Sequence, residues 1–249
     1  MRRIAVVGAF SLTIAAFASG ALAADLPAKA PPMVAPLYDW TGGYIGVDGG
    51  GASSHECWTL TSVNGVPVLP SLEGCHNATG GMAGGQLGYR WQTANWVFGV
   101  EAQGDWANLT GSNGSLTAII PYTNQTKIDA VGLFTGQVGY AWNNVLLYVK
   151  GGAAVIDNSY SSFFTATGVV WNQASETRWG GAAGAGIEIG FARNWSVAVE
   201  YDHLFMGQNN VTFPMTTIAV GRTDTISQDV DMGTIRLNYR FAAPVVAKY

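Results

Sequence analysis

Charged side chains are scarce in this sequence of 249 residues, and the scarcity narrows its class. Asp, Glu, Lys and Arg together make up 11% of the chain, whereas ordinary soluble domains contain about 25%. The 12 basic residues are outnumbered by 16 acidic ones and form no basic run. Proteins that bind nucleic acid neutralise phosphates with clustered Lys and Arg, so we expect no nucleic-acid partner.

Long apolar runs are absent after residue 23, since no later segment approaches the roughly 20 residues that a membrane helix needs. An earlier apolar stretch over residues 4–18 follows the basic start MRR and precedes the small-residue site ALA at 21–23. These three parts are typical of a secretory signal peptide. We expect residues 1–23 to be removed on export, which leaves 12 − 2 = 10 basic residues against 16 acidic ones.

Cysteine is rare as well, with two residues, Cys57 and Cys75. Thiols of exported proteins are usually oxidised, so the sequence predicts a disulfide between them. His55 and His76 flank the cysteines and offer a four-ligand, zinc-like alternative. We favour the disulfide because export favours oxidation, and we expect no metal and no cofactor.

Residues that could form the catalytic site of a hydrolase are few, because the chain has only three His. His203 follows Asp202, but adjacent residues of a strand face opposite ways, and no serine on a predicted strand clearly approaches it. Phosphate-binding loops, CxxC pairs and dinucleotide fingerprints are also missing. We therefore expect no enzyme, and a lipid-modifying hydrolase stays a remote alternative.

Glycine and aromatic residues are abundant, with 33 Gly, 9 Trp and 10 Tyr, and alternation is the dominant pattern. From Thr234 to Phe241, polar and apolar residues alternate strictly, which predicts a strand with one apolar face. Similar segments recur along the chain. The predicted strands cover about 44–52, 80–91, 96–109, 127–142, 145–156, 177–191, 195–205 and 231–241.

The connections between these strands alternate in length. Short turns at 92–95, 143–144 and 192–194 separate long polar segments at 53–79, 110–126, 157–176 and 206–227. Short periplasmic turns and long external loops are typical of outer-membrane barrels. The sequence thus predicts an all-β fold: an eight-stranded antiparallel up-and-down barrel over residues 38–241. A Pro/Ala-rich leader at 24–37 precedes it and a tail at 242–249 follows it, while segment 157–176 could add strands.

The polar face of the predicted strands also carries glycines, and eight strands leave an interior that side chains just fill. We therefore place the polar face in the lumen and the apolar face against lipid, unlike in a soluble lipocalin-like barrel. The expected lumen network comprises Arg90, Glu101, Gln137, Lys150, Glu188, Glu200, Arg236 and Arg240. It fills and stiffens the barrel or, alternatively, lines a narrow gated ion path.

Aromatic residues near the short turns predict a girdle at one membrane interface. Its expected members are Tyr89, Trp91, Trp96, Tyr140, Trp142 and Trp195. The eighth strand must pair with the first near residues 44–50 to remove both sheet edges.

The leader ADLPAKAPP (24–32), the entry YDWTGGYIG (38–46) and the exit LNYRF (237–241) with PVVAKY (244–249) carry a family resemblance. They resemble the small porin-like outer-membrane β-barrels of Gram-negative bacteria described as outer-membrane immunogenic proteins. The resemblance implies an eight-stranded OmpA-like barrel in the cell outer membrane, without a peptidoglycan-binding domain.

It also implies a mainly structural role with exposed surface loops, and it brings no catalytic residues. In such proteins a terminal aromatic on the last strand is the usual assembly signal, which makes Phe241 the expected barrel-closing aromatic. Expected partners are outer-membrane lipid, the barrel assembly machinery and surface ligands of a host or the environment. The oligomeric state stays open.

Overall fold

The computed structural model describes residues 38–117, 121–216 and 220–241, which form one closed antiparallel barrel. Its strands are β1 Gly42–Val63, β2 Val66–Thr93, β3 Trp96–Gly114, β4 Tyr122–Trp142, β5 Val145–Phe164, β6 Val170–Ala192, β7 Trp195–Phe213 and β8 Arg222–Arg240. The predicted signal peptide, the leader and the tail lie outside the described residues. Within the described part, no helix has the length and apolar character of a membrane span.

The barrel closes where β1 pairs with β8 as well as with β2. Tyr44 lies opposite Arg240 on β8, and the register continues upward to Val63 opposite Arg222. Closure gives every backbone N–H and C=O of the wall a neighbouring strand, which a lipid environment demands. The predicted pairing of the last strand with the first is confirmed.

The three short turns lie within the predicted segments. They are the two-residue connections after Thr93, Trp142 and Ala192. Ala94 and Asn143 adopt positive φ values of 54° and 55°, as a tight hairpin turn requires.

The four long loops were predicted wrongly in one respect, because most of their residues continue the strands. Residues 53–79 form the upper part of a hairpin that reverses at Asn64 and Gly65, with φ values of 51° and 76°. The polar composition indicated a loop, yet alternation persists, with Ser54 and Glu56 buried and His55 between them exposed. Segment 157–176 likewise extends β5 and β6 and adds no strand pair.

The outer wall shows where the membrane ends. Outward residues are apolar, aromatic or small from the periplasmic turns up to Trp106, Trp179 and Tyr201, which are 54–81% exposed. Beyond this external aromatic ring the outward residues become polar, such as Asp157 and Asp229. The strands therefore continue past the lipid and carry a hairpin crown outside the membrane.

The interior is filled at four levels. At the periplasmic end, Trp40 covers the mouth as a periplasmic cap with Val97, Ala141, Leu146 and Tyr148. A charged layer follows, and above it an apolar layer formed by buried residues such as Leu133, Leu204 and Met232. In the hairpin crown, the external layer contains Trp58, Tyr160, Val211, Phe213 and Ile226.

Two lumen glycines make room for the largest side chains of the charged layer. A Cβ built on Gly186 would lie 2.5 Å from the Tyr148 ring, and one on Gly88 would lie 2.5 Å from the Tyr44 hydroxyl. Real Cβ atoms do not approach so closely. The glycines of the polar face thus act as gaps into which tyrosines of neighbouring strands fit.

We predict that Gly186→Ala lowers the free energy of unfolding by about 1–3 kcal/mol, the usual cost of overpacking. Gly181→Ala is the matched control, because Gly181 lies on the same strand and its added Cβ would meet nothing closer than 4.0 Å. Urea unfolding of both variants in lipid vesicles measures the difference. Equal stability of the two variants would show that the gap is not required.

Candidate functional site

Arg236 of β8 lies at the centre of the charged layer and is 1% exposed. Its guanidinium contacts Glu101 of β3 at 2.8 Å and Glu200 of β7 at 2.5 Å. Alternation turns all three side chains inward, and the narrow lumen brings them together from separate strands. Arg236 therefore bridges two carboxylates with charge-assisted hydrogen bonds.

Lys150 of β5 is the second cation of the layer. Its ammonium lies 2.6 Å from Glu200 and 3.6 Å from Glu101. Lys150 and Arg236 therefore share the same two carboxylates. A further ion pair at 3.3 Å links Lys150 to Asp202. This mixed-sign cluster contains four of the eight residues predicted for the lumen network.

Two tyrosines complete the coordination of the carboxylates. The Tyr44 hydroxyl donates to Glu101 at 2.6 Å, and the Tyr148 hydroxyl donates to Glu200 at 2.6 Å. The predicted network lacked both residues. The sequence did contain a signal for them, because each tyrosine occupies an inward position of its strand. Each also lies opposite a lumen glycine, Gly88 for Tyr44 and Gly186 for Tyr148.

A second ion pair lies nearer the periplasm. Arg90 of β2 contacts Glu188 of β6 at 2.8 Å, and Asn238 donates to the same glutamate at 3.1 Å. Gln137 accepts from Arg90 at 3.2 Å and donates to the Tyr44 hydroxyl at 2.9 Å. These contacts join the two ion-pair clusters into one hydrogen-bonded network.

Arg240 is separated from this network, contrary to the prediction. It is half-buried at the periplasmic end, where it donates to the Arg193 carbonyl at 3.0 Å and lies 4.4 Å from the Tyr38 ring centroid. Arg240 is the last residue of β8, so its side chain points into the barrel mouth rather than into the charged layer. The alternation of side chains along β8 correctly predicted that Arg240 faces the interior, but it did not predict how deep in the lumen Arg240 lies.

Three inward aspartates on the membrane-spanning strands add carboxyl groups that the predicted lumen network did not include. Asp48, Asp105 and Asp202 are 92–99% buried, which follows from exposed fractions of 8%, 4% and 1%. Neither oxygen of Asp48 receives a hydrogen bond from the part of the chain that the structure describes. Gln103 donates to Asp105 at 3.0 Å.

The external layer holds a third buried ion pair. Arg222 contacts Glu73 at 3.0 Å and donates to Ser162 at 2.7 Å. Its guanidinium lies 4.8 Å from the Phe213 ring and 5.3 Å from the Tyr122 ring. The sequence analysis did not predict this cluster because it assigned these residues to loops. Inward and outward positions can be told apart by alternation only in strands.

Cys57 and Cys75 lie opposite each other on β1 and β2 and form the predicted disulfide. The two flanking histidines lie on opposite sides of the wall, which is incompatible with a shared zinc site. His55 is exposed and bonds Asn77 at 2.7 Å, whereas His76 is buried and bonds Asn113 at 2.7 Å. Burial lowers the pKa of His76 below its ordinary value.

His203 faces outward at the external edge of the lipid-facing wall. Its partner is Asp231 of β8, at 2.7 Å, and not the neighbouring Asp202, which faces inward. Ser53 of β1 lies beyond Asp231 in the same cross-strand row, about 10 Å from His203 at the usual strand spacing. The row therefore lacks the serine–histidine contact that nucleophilic hydrolysis needs.

The predicted girdle residues lie next to the periplasmic turns and face outward. Five of them are 41–55% exposed: Tyr89, Trp91, Trp96, Trp142 and Trp195. Tyr140 is half-buried and packs edge-on against Trp96, with centroids 5.5 Å apart. Phe241 is 56% exposed, packs against Tyr239, and donates its backbone N–H to Gly43 at 2.8 Å.

Among the described residues, the charged layer thus holds carboxylates in excess of cations. Six buried carboxylates surround three buried cations there: Asp48, Glu101, Asp105, Glu188, Glu200 and Asp202 against Arg90, Lys150 and Arg236. The cations all point at carboxylates and leave no basic surface for an anionic ligand. Each of the three cations is therefore compensated by carboxylates inside the lumen.

Relatives with this fold are known from outer membranes. The chain is 29% identical over 242 residues to the 31 kDa outer-membrane immunogenic protein of Brucella melitensis, covering 91% of this chain and 96% of that one. It is 28% identical to the 25 kDa outer-membrane immunogenic protein of Brucella abortus, covering 93% and 92%.

Among solved structures, the outer membrane protease OmpT of Escherichia coli is similar with a TM-score of 0.50 and 8% identity, over 80% of this chain and 97% of that one. At such identity the likeness shows the fold alone. The model of the outer membrane protein beta-barrel domain matches residues 9–241. The chain therefore belongs to the outer membrane protein beta-barrel domain family and is a protein of the outer membrane.

Proposed function

We propose that the protein is a structural outer-membrane barrel with a sealed lumen, which contributes to envelope integrity and presents four hairpins outside the cell. The observation that carries this proposal is the filling of the barrel at four successive levels. Leu133 and Leu204 of the apolar layer are fully buried, and Arg236 below them is 1% exposed. A solute would have to displace packed side chains at each level.

The periplasmic end supports the same conclusion. Trp40 is 1% exposed and donates its indole N–H to the Asn143 carbonyl at 3.2 Å, which fixes the ring across the mouth. The cavity beside it, between Trp40, Tyr44 and Arg90, measures 10 Å³. A space of this size holds about one water molecule.

A small channel for cations is the second candidate function. The excess of carboxylates in the charged layer favours it, since rings of Asp and Glu select cations in pores. Asp48 in particular has no hydrogen-bond donor among the described residues. Conduction would require the apolar layer above these carboxylates to open.

A non-enzymatic role is supported by the distance of about 10 Å between His203 and Ser53 and by the similarity to proteins described as outer-membrane immunogenic proteins. Phe241 ends the barrel as an exposed aromatic, which supports recognition by the barrel assembly machinery. The exposed hairpin crown is the surface that partners of a host or the environment would reach.

Planar-bilayer recording of the purified barrel tests the sealed lumen. We expect no reproducible openings from the wild-type protein, because the ion pairs of Arg236 and Lys150 close the charged layer. Glu101→Gln and Lys150→Met are recorded in parallel. A shift in electrophoretic mobility on boiling verifies that each variant is folded.

Reproducible wild-type openings whose conductance changes in Glu101→Gln or Lys150→Met would overturn the sealed barrel and establish the channel. Lipid turnover that His203→Ala abolishes would instead establish the enzyme.

The external layer gives a prediction about pH. Burial raises the pKa of Asp224 from its ordinary value to about 7, and Glu73 acts in the same direction, although Arg222 opposes both. The folded state therefore binds a proton that the unfolded state releases near pH 4. The stability that this group contributes is full below about pH 4, falls as pH rises, and is lost above about pH 7.

We expect Asp224→Asn to be more stable than the wild type at pH 8 and close to it at pH 4. The difference should reach a few kcal/mol, since one pKa unit corresponds to about 1.4 kcal/mol. Asp229→Asn is the matched control, because Asp229 is exposed on the same strand. Urea unfolding at several pH values measures the effect, and a parallel pH profile for wild type and Asp224→Asn would contradict it.

A further inference from the structure

The disulfide of the hairpin crown lies on the outer wall, where water reaches it. Cys57 of β1 is half-buried and Cys75 of β2 is exposed. Both lie above the cross-strand row of Ser53 and Asp231, which is at the external edge of the lipid-facing wall. A reagent dissolved outside the cell can therefore contact the sulfur atoms.

His55 places a nitrogen ligand beside the two sulfurs. It lies two residues before Cys57 on the same face of β1, and its Nε2 is 3.6 Å from the Cys57 Sγ. Nε2 and the Sγ atoms of Cys57 and Cys75 all lie within 4.8 Å of one another. In a tetrahedral zinc site with bonds of about 2.0–2.3 Å, the ligand atoms are about 3.3–3.8 Å apart. One metal ion can therefore contact all three side chains once the bond between the sulfurs is broken.

Asn77 orients the imidazole of His55 toward the sulfurs. Its amide oxygen lies 2.7 Å from the His55 Nδ1, and an amide oxygen only accepts hydrogen bonds. In the neutral imidazole, Nδ1 therefore carries the proton and Nε2 presents its lone pair to the cysteines. Histidines that bind metals are usually held in this way, by a hydrogen bond from the other ring nitrogen.

The chemistry of the three ligands and of their neighbours selects the kind of ion. Two thiolates and one imidazole form a donor set that suits zinc and is too soft for magnesium or calcium. Asp229 of β8 lies directly opposite His55 and is exposed on the same outer surface. Its carboxylate adds negative charge beside the ligands, which attracts a cation.

We propose that reduction of the Cys57–Cys75 disulfide by a low-molecular-weight thiol opens a surface site that binds a divalent zinc-like cation through Cys57, Cys75 and His55. One thiolate of the reductant attacks the exposed Cys75 sulfur and releases Cys57 as a thiolate. A second reductant thiolate attacks the mixed disulfide, releases Cys75 as a thiolate and forms the disulfide of the reductant. The two electrons thus come from two reductant thiols, and the two cysteine thiolates balance the charge of the ion.

The strand pair keeps the ligands together after reduction. Cys57 and Cys75 are direct partners in the register of β1 and β2, with Cα atoms 4.1 Å apart. Rotation about the Cα–Cβ bonds can bring the sulfurs to the spacing of a metal site while the backbone stays paired. Water fills the fourth position of the tetrahedron, as in zinc sites with three protein ligands. The site lies outside the lumen, so it does not depend on whether the barrel is sealed.

Cobalt titration of the full barrel in detergent micelles tests the site. The protein is used as folded, with its disulfide, and after reduction by a water-soluble phosphine, which adds no competing thiolate. Co²⁺ replaces zinc because its coordination by thiolates produces absorption bands that can be followed directly, and added Zn²⁺ then displaces it. His55→Ala removes a ligand and Asn77→Ala removes the residue that orients it. His203→Ala is the matched control, since His203 also faces outward but lies on β7, away from the cysteines.

We expect thiolate–cobalt bands in the reduced wild type, with one ion per chain, and none in the disulfide form. Asn77→Ala should weaken binding by about 10–100-fold, the usual effect of losing a residue that orients a ligand, and His55→Ala by at least as much. His203→Ala should bind like the wild type.

Absence of thiolate–cobalt bands after reduction would overturn the proposal, and so would equal affinity in His55→Ala and the wild type. One ion per two chains would show that the thiolates bind metal between barrels and not within one hairpin. Mobility shifts on boiling verify that the variants and the reduced protein are folded. Loss of the compact form on reduction alone would also contradict the site, because its ligands depend on the paired strands.

Discussion

The bridge from Arg236 to Glu101 and Glu200 is the interaction on which the interior depends. All three groups are at least 95% buried, as exposed fractions of 1%, 5% and 2% show. A buried charge that loses its partner costs about 3–5 kcal/mol, so neither the arginine nor the glutamates can remain there alone. Tyr44, Tyr148 and Lys150 complete the same cluster and, through Gln137, tie it to the second ion pair.

This arrangement reverses the usual distribution of a soluble protein, because the charges lie inside and the apolar residues outside. The narrow lumen of eight strands accepts the long charged side chains only where glycines such as Gly88 and Gly186 leave gaps. Outside, aromatic residues mark both edges of the lipid-facing wall. The strands then continue into the hairpin crown, where a disulfide and the Arg222 cluster are located.

Alternation in the sequence was sufficient to predict the barrel, its lipid-facing wall and the inward face of Arg236, Glu101 and Lys150. It could not predict depth, because the offset between neighbouring strands sets which inward residues meet, and Arg240 consequently lies outside the network. It also failed where polar residues occupied both faces, as in segment 53–79, since the contrast between faces disappears there. The pairing of His203 with Asp231 depends on a register between distant strands that no local pattern contains.

A double-mutant cycle on Arg236 and Glu101 tests the central role of charge compensation most directly. The free energies of unfolding of Arg236→Met, Glu101→Gln and the double variant are measured by urea titration in lipid vesicles. If the two residues stabilise the barrel as a pair, the double variant loses less than the sum of the single losses, with a coupling of about 0.5–3 kcal/mol. A loss in the double variant that equals the sum of the two single losses to within about 0.5 kcal/mol would contradict the account.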